Sequence, residues 1–72
     1  MAICYKKLWK LLIDRDMKKK DLALLSGISQ SSITKMGKNE NVNTDVLVRI
    51  CRALDCDIGD IAEVVLHKDS AN

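Results

Sequence analysis

The sequence predicts an all-α fold, a compact bundle of five short helices in a single domain. Three observations carry that expectation. The 72 residues are 47% hydrophobic but include one Trp, one Tyr, no Phe and no Pro, an aliphatic composition that suits packed helices better than a sheet. Apolar residues recur at helical spacing along most of the chain. A chain this short buries only about 60% of its unfolded surface, so the core is thin and leaves no room for a separate effector-binding or catalytic domain. The domain is expected over residues 1–66, with 67–72 a polar, disordered tail.

Helix one is expected from about Tyr5 to Asp14. Tyr5, Leu8, Trp9 and Leu12 share one stripe, with Lys6, Lys7, Lys10 and Asp14 opposite. On that stripe Trp9 reads as core, where its large apolar area is most useful. Asp14-Arg15-Asp16 breaks the pattern and Met17 drops back towards the core.

Helix two begins near Lys19 and lacks a good N-cap, because Lys18 occupies the capping position. Asp21 compensates in part with a negative charge in the first turn. Leu22, Ala23 and Leu25 fall on helical spacing. Gly27 then supplies the left-handed backbone of an abrupt stop, and the Ser29 hydroxyl restarts the chain as an N-cap. This is a helix-turn-helix over Asp21 to Lys38.

Helix three is expected from Gln30 to Met36 or slightly beyond, with Gly37 and then Asn39 as candidate terminators. At 100° per residue, Ser32, Ile33 and Met36 cluster on one side. Ser31, Thr34, Lys35 and Lys38 lie opposite, with Gln30 at the N-terminal tip. A helix with so little to bury is used on its outside. Its amide and hydroxyl groups can bond base edges, and its ammonium groups can meet phosphates.

Residues 38–43 read as a polar loop. Asn43 or Thr44 caps helix four, where Val46, Leu47, Ile50, Cys51, Ala53 and Leu54 form a wide apolar stripe and Val48, Arg49 and Arg52 face outwards. Helix five opens at Asp57-Ile58-Gly59-Asp60, with Asp57 capping the N–H of Asp60 and a stripe of Ile58, Ile61, Ala62 and Val65. Val64 and Leu66 remain outside the core.

Charge is divided unevenly. Residues 1–38 hold nine Lys and Arg against three Asp, whereas residues 39–72 hold three against seven acids. The basic half, which contains the turn, attracts a polyanion. The lysine run Lys18 to Lys20 at a positive helix end is electrostatically awkward; it reads either as a solvated charge run or as a place where a phosphate would relieve the conflict.

Other classes are disfavoured. No apolar run approaches the roughly 20 residues of a membrane span, and Met1 to Tyr5 is too short to open a signal peptide. These readings point to a cytoplasmic protein that does not act at a membrane. Cys4, Cys51 and Cys56 are odd in number and contain no C-x-x-C, and His67 is the only histidine. They read as buried thiols, with neither a disulfide framework nor a metal site expected. No Ser/His/Asp set or phosphate-cradling glycine loop is present, so the chain is not expected to be an enzyme or to need a cofactor.

The ordered set Leu22-Ala23, Gly27-Ile28-Ser29, Ile33 and Met36, then Val46 to Leu54, then Asp57-Ile58 resembles the Cro and phage-repressor (XRE) class of helix-turn-helix regulators. The resemblance covers about residues 5 to 65. It implies a five-helix, lambda-repressor-like fold and sequence-specific binding of double-stranded DNA, usually as a homodimer with one recognition helix in the major groove of each half-site. It makes Ala23 the small residue where two helices cross, with Ile28 and Ile33 pinning the turn. Gln30 and Ser31 become base readers, followed by Thr34 and Lys35. Lys18, Lys19, Ser29, Lys38, Asn39 and Asn41 become phosphate contacts.

The chain departs from that class where Lys18 replaces a Ser/Thr cap, Gly37 stands for a common acid, and Asn39 replaces a glycine. Val64 and Leu66 are the candidate dimer surface. A second reading is an antitoxin-like module whose acidic C-terminal half clasps a partner protein. No small-molecule ligand is expected in either case.

Overall fold

The computed structural model describes residues 2–66; Met1 and the expected tail, with His67, lie outside the described residues. The order is β1 (Ala2–Cys4), α1 (Lys6–Asp14), α2 (Lys19–Ser26), α3 (Gln30–Gly37), α4 (Thr44–Leu54), a single 3-10 turn (Ile58–Asp60) and β2 (Glu63–Val65). The first four expected helices are present, with ends within a residue or two of those read from the pattern.

The expected fifth helix is not. Its segment forms one 3-10 turn and then a strand that pairs antiparallel with β1, in the register Ala2↔Val65, Ile3↔Val64 and Cys4↔Glu63. The domain therefore has four α-helices and a two-stranded sheet. The physical reason lies in the segment's residues. Only Ile61 and Ala62 reach the core, and one tight turn delivers both. Gly59 weakens a longer helix, and the β-branched pair Val64-Val65 favours the extended chain that Ala2–Cys4 offers to pair. Ile58 and Val65, expected on a buried stripe, are instead 43% and 37% exposed.

The core joins all four helices. Tyr5, Leu8 and Leu12, Leu22, Ile33 and Met36, Leu47, Ile50 and Leu54, and Ile61 and Ala62 are all buried. Two residues depart from their expected places. Leu25 is 58% exposed, because the inward face of α2 runs through Leu22, Ala23 and Ser26 and Leu25 lies about 100° off its centre. Trp9 is half-buried and packs on the edge of the core, where the stripe continues through Leu8 and Leu12.

Helix endings share one device. Asp16, Asn39 and Asp55 adopt positive φ of 57°, 57° and 53° after α1, α3 and α4. Each ending carries the paired bonds of a Schellman motif: Met17 N–H to the Leu12 carbonyl, Glu40 to Lys35, and Cys56 to Cys51 at 2.9–3.0 Å. Gly37 is still helical, so Asn39 is the terminator of α3. At the last ending Cys51 and Cys56 meet beneath the turn. Burial pushes the Cys51 thiol up to about 11, with Cys56 and nearby acids adding to it, and burial also raises Cys56. Both are protonated and unreactive near neutral pH.

Candidate nucleic-acid interface

The turn between α2 and α3 sets the geometry. Gly27 takes φ +73° and its N–H bonds the Ala23 carbonyl at 3.0 Å. The Ser29 hydroxyl accepts from the Ser32 N–H at 3.2 Å, the N-cap bond expected from the sequence. From α4, the Arg49 guanidinium donates to the Gly27 carbonyl at 3.4 Å while its Nε meets Asp45 Oδ2 at 2.9 Å. Arg49 therefore bridges the last core helix to the turn, a role that its outward position in the pattern did not announce. Asp45 and Arg49 at i,i+4 were the available signal.

Helix α3 buries only Ile33 and Met36 and exposes Gln30, Ser31, Thr34, Lys35 and Gly37. Two of the four expected base readers are engaged locally. The Thr34 hydroxyl donates to the Gln30 carbonyl at 3.0 Å, and the Ser31 hydroxyl lies 3.0 Å from that of Ser29. Gln30 and Lys35 have no side-chain hydrogen bond among the described residues. Within α3, their amide and ammonium groups thus keep full bonding capacity.

Apart from Ser29, the N-cap of α3, the phosphate candidates fall into two groups. At the start of α2, Lys18 donates its backbone N–H to Asp21 Oδ2 at 2.9 Å, so Asp21 supplies the reach-back half of a cap that a lysine cannot complete. Lys19 lays its ammonium over the Trp9 ring, 4.6 Å from the centroid. A Cβ at Gly37 would stand 3.6 Å from the same nitrogen. The start of α2 and the end of α3 therefore adjoin, bringing Lys19 near the Lys35–Lys38 end of the outward face.

In the loop, Lys38 and Asn41 are exposed. Asn39 carries a structural duty as well: its Oδ1 accepts from the Tyr5 N–H at 3.2 Å, while the Tyr5 hydroxyl donates to the Glu40 carbonyl at 3.0 Å. Its amide nitrogen alone remains for a phosphate.

The two candidate dimer residues lie elsewhere. Val64 is 64% and Leu66 71% exposed, on and just beyond β2. Among the described residues, no helix is long and apolar enough to cross a membrane, and no group of three or more His, Cys, Asp or Glu is placed to hold a metal ion.

Two helices across a glycine turn, the second with a polar outer face and a basic surround, define a helix-turn-helix DNA-binding domain. The chain belongs to the Cro/C1-type helix-turn-helix DNA-binding domain family, whose sequence model matches residues 7–66. It is similar to the crystal structure of the transcriptional regulator VanUg, at 58% identity and a TM-score of 0.83, over 86% of this chain and 83% of that one. A comparison with curated proteins gave no match.

Proposed function

We propose that the protein is a transcriptional regulator that reads DNA sequence through α3, inserted in the major groove, and that it acts as a homodimer on a palindromic operator. One observation carries the reading: Gln30 and Lys35 stand exposed and, among the described residues, without side-chain partners on the second helix of a Cro/C1-type motif. A Gln amide pairs bidentately with adenine, and a Lys ammonium meets guanine or phosphate. Ser31 and Thr34 line the same face. Lys18, Lys19, Ser29, Lys38, Asn39 and Asn41 serve the backbone, which fixes register without reading sequence. The transcriptional regulator of similar structure supports the assignment.

Dimerisation is supported by β2, whose outer edge and exposed Val64 and Leu66 offer a second copy both backbone bonds and apolar surface. Two recognition helices then address half-sites about 34–36 Å apart.

Selection from a random duplex library with the full chain, followed by sequencing, tests the proposal. A palindromic motif is expected, with its half-sites one helical turn apart. Failure to enrich any motif overturns the DNA reading and favours the partner-protein alternative, in which the acidic half clasps another chain.

A further inference from the structure

We infer that Trp9 is a positioning residue for DNA binding: its ring holds the Lys19 ammonium ready for a backbone phosphate. This rests on the DNA-binding reading above. The sequence placed Trp9 in the core, yet its ring stands half-buried at the edge, with the Lys19 nitrogen 4.6 Å from its centroid. Buried burden alone does not explain an aromatic there, since Leu8 and Leu12 already fill the inward stripe of α1. What the ring adds is a negatively polarised face for a cation.

Three elements meet at that nitrogen. Lys19 comes from the first turn of α2, Trp9 from α1, and Gly37 from the last turn of α3, where a Cβ would stand 3.6 Å away. Gly37 brings no side chain, and so no carboxylate, to the ammonium. Asp21, the acid of that helix turn, is bonded to the Lys18 N–H. Lys19 therefore keeps its charge unpaired by any acid among the described residues while losing the freedom of a long side chain. The ordering that a flexible lysine undergoes when it grips a phosphate has already happened.

The test uses the full chain, a selected duplex and a random duplex, with affinities measured from 50 to 200 mM KCl. Lys19→Ala is expected to weaken both duplexes about three- to tenfold and to lower the slope of log K against log salt by about one. Trp9→Leu is expected to follow it on both duplexes, and Trp9→Phe, which keeps an aromatic face, to recover most of the loss. The double variant Trp9→Leu/Lys19→Ala is expected to bind as Lys19→Ala does, since the two side chains act as one.

Wild-type emission from Trp9, the only tryptophan, is expected to shift when a phosphate settles against the ammonium held on its ring. That readout holds even where Trp9→Leu fails to fold. Unchanged emission on a bound duplex, or losses that simply add in the double variant, overturns the inference and leaves the DNA reading intact. A wild-type chain that binds neither duplex at 50 mM KCl overturns that reading itself.

Discussion

The Tyr5 backbone N–H donates to Asn39 Oδ1 at 3.2 Å across 34 positions of sequence. The bond ties the start of α1 to the residue that ends α3. Asn39 thus holds a left-handed backbone and anchors the loop that follows α3. Replacing Asn39 with Gly is expected to change stability by less than about 0.5 kcal/mol, because relief of backbone strain offsets the lost bond. Asn39→Ala has no such relief and is expected to cost about 1–2 kcal/mol. Urea unfolding followed by circular dichroism separates the two.

Asp55 presents the opposite balance. It holds φ +53° at the negative end of α4 and makes no side-chain hydrogen bond among the described residues. Both backbone strain and the helix dipole oppose an aspartate there. Asp55→Gly is expected to stabilise the fold by about 0.5–1 kcal/mol, and a rise in melting temperature checks it.

Alkaline pH should loosen the last turn of α4. Cys51 rises from 9.0 to about 11, first by burial, and Cys56 rises by burial as well. A raised folded-state value means that the folded chain holds the proton more tightly. The stabilising contribution is complete below about pH 9 and is lost as pH climbs through 11. Melting temperatures between pH 8 and 11 are expected to fall, and Cys51→Val to flatten part of that fall.

Sequence reading by α3 predicts a split between two substitutions. Gln30→Ala is expected to cost roughly 1–3 kcal/mol at one preferred base and little on random DNA. Lys38→Ala should weaken every duplex alike. Competition binding on selected and scrambled duplexes distinguishes these outcomes, and equal loss for Gln30→Ala removes its role as a base reader.

Pairing through β2 predicts that Val64→Asp sediments as a monomer at concentrations where the wild-type chain sediments as a dimer. A buried, unpaired carboxylate is costly at such an interface, while Val64 in the lone chain is largely in solvent. The variant should therefore keep its melting cooperativity. A wild-type chain that stays monomeric at high concentration, with and without DNA, counts against the dimer.

Local signals carried most of what could be read from the chain. Gly27 and Ser29 fixed the turn because their conformational and capping preferences act within four residues. Likewise the outward placement of Gln30, Ser31, Thr34 and Lys35 follows from helical arithmetic once Ile33 and Met36 are inside. What escaped depends on distant partners. The spacing of Ile58, Ile61, Ala62 and Val65 suits a helix, and only the nearby Ala2–Cys4 makes a strand the better solution. Tyr5 with Asn39, Arg49 with Gly27, and Lys19 with Trp9 are contacts between elements, and only the second leaves a local trace, in the Asp45–Arg49 spacing.

The pairing of β1 with β2 also decides how the domain answers a mechanical load. Ala2 and Val65 face each other at the outer end of the ladder, so tension applied between residues 2 and 66 pulls across the inter-strand bonds and opens them in succession. An antiparallel pair loaded this way unzips at low force, whereas shear would engage all its bonds together. With only three residues a strand, the sheet is a weak latch. It yields before the helices, and drawing the two ends of the domain apart leaves the buried contacts of α1 to α4 as the next barrier.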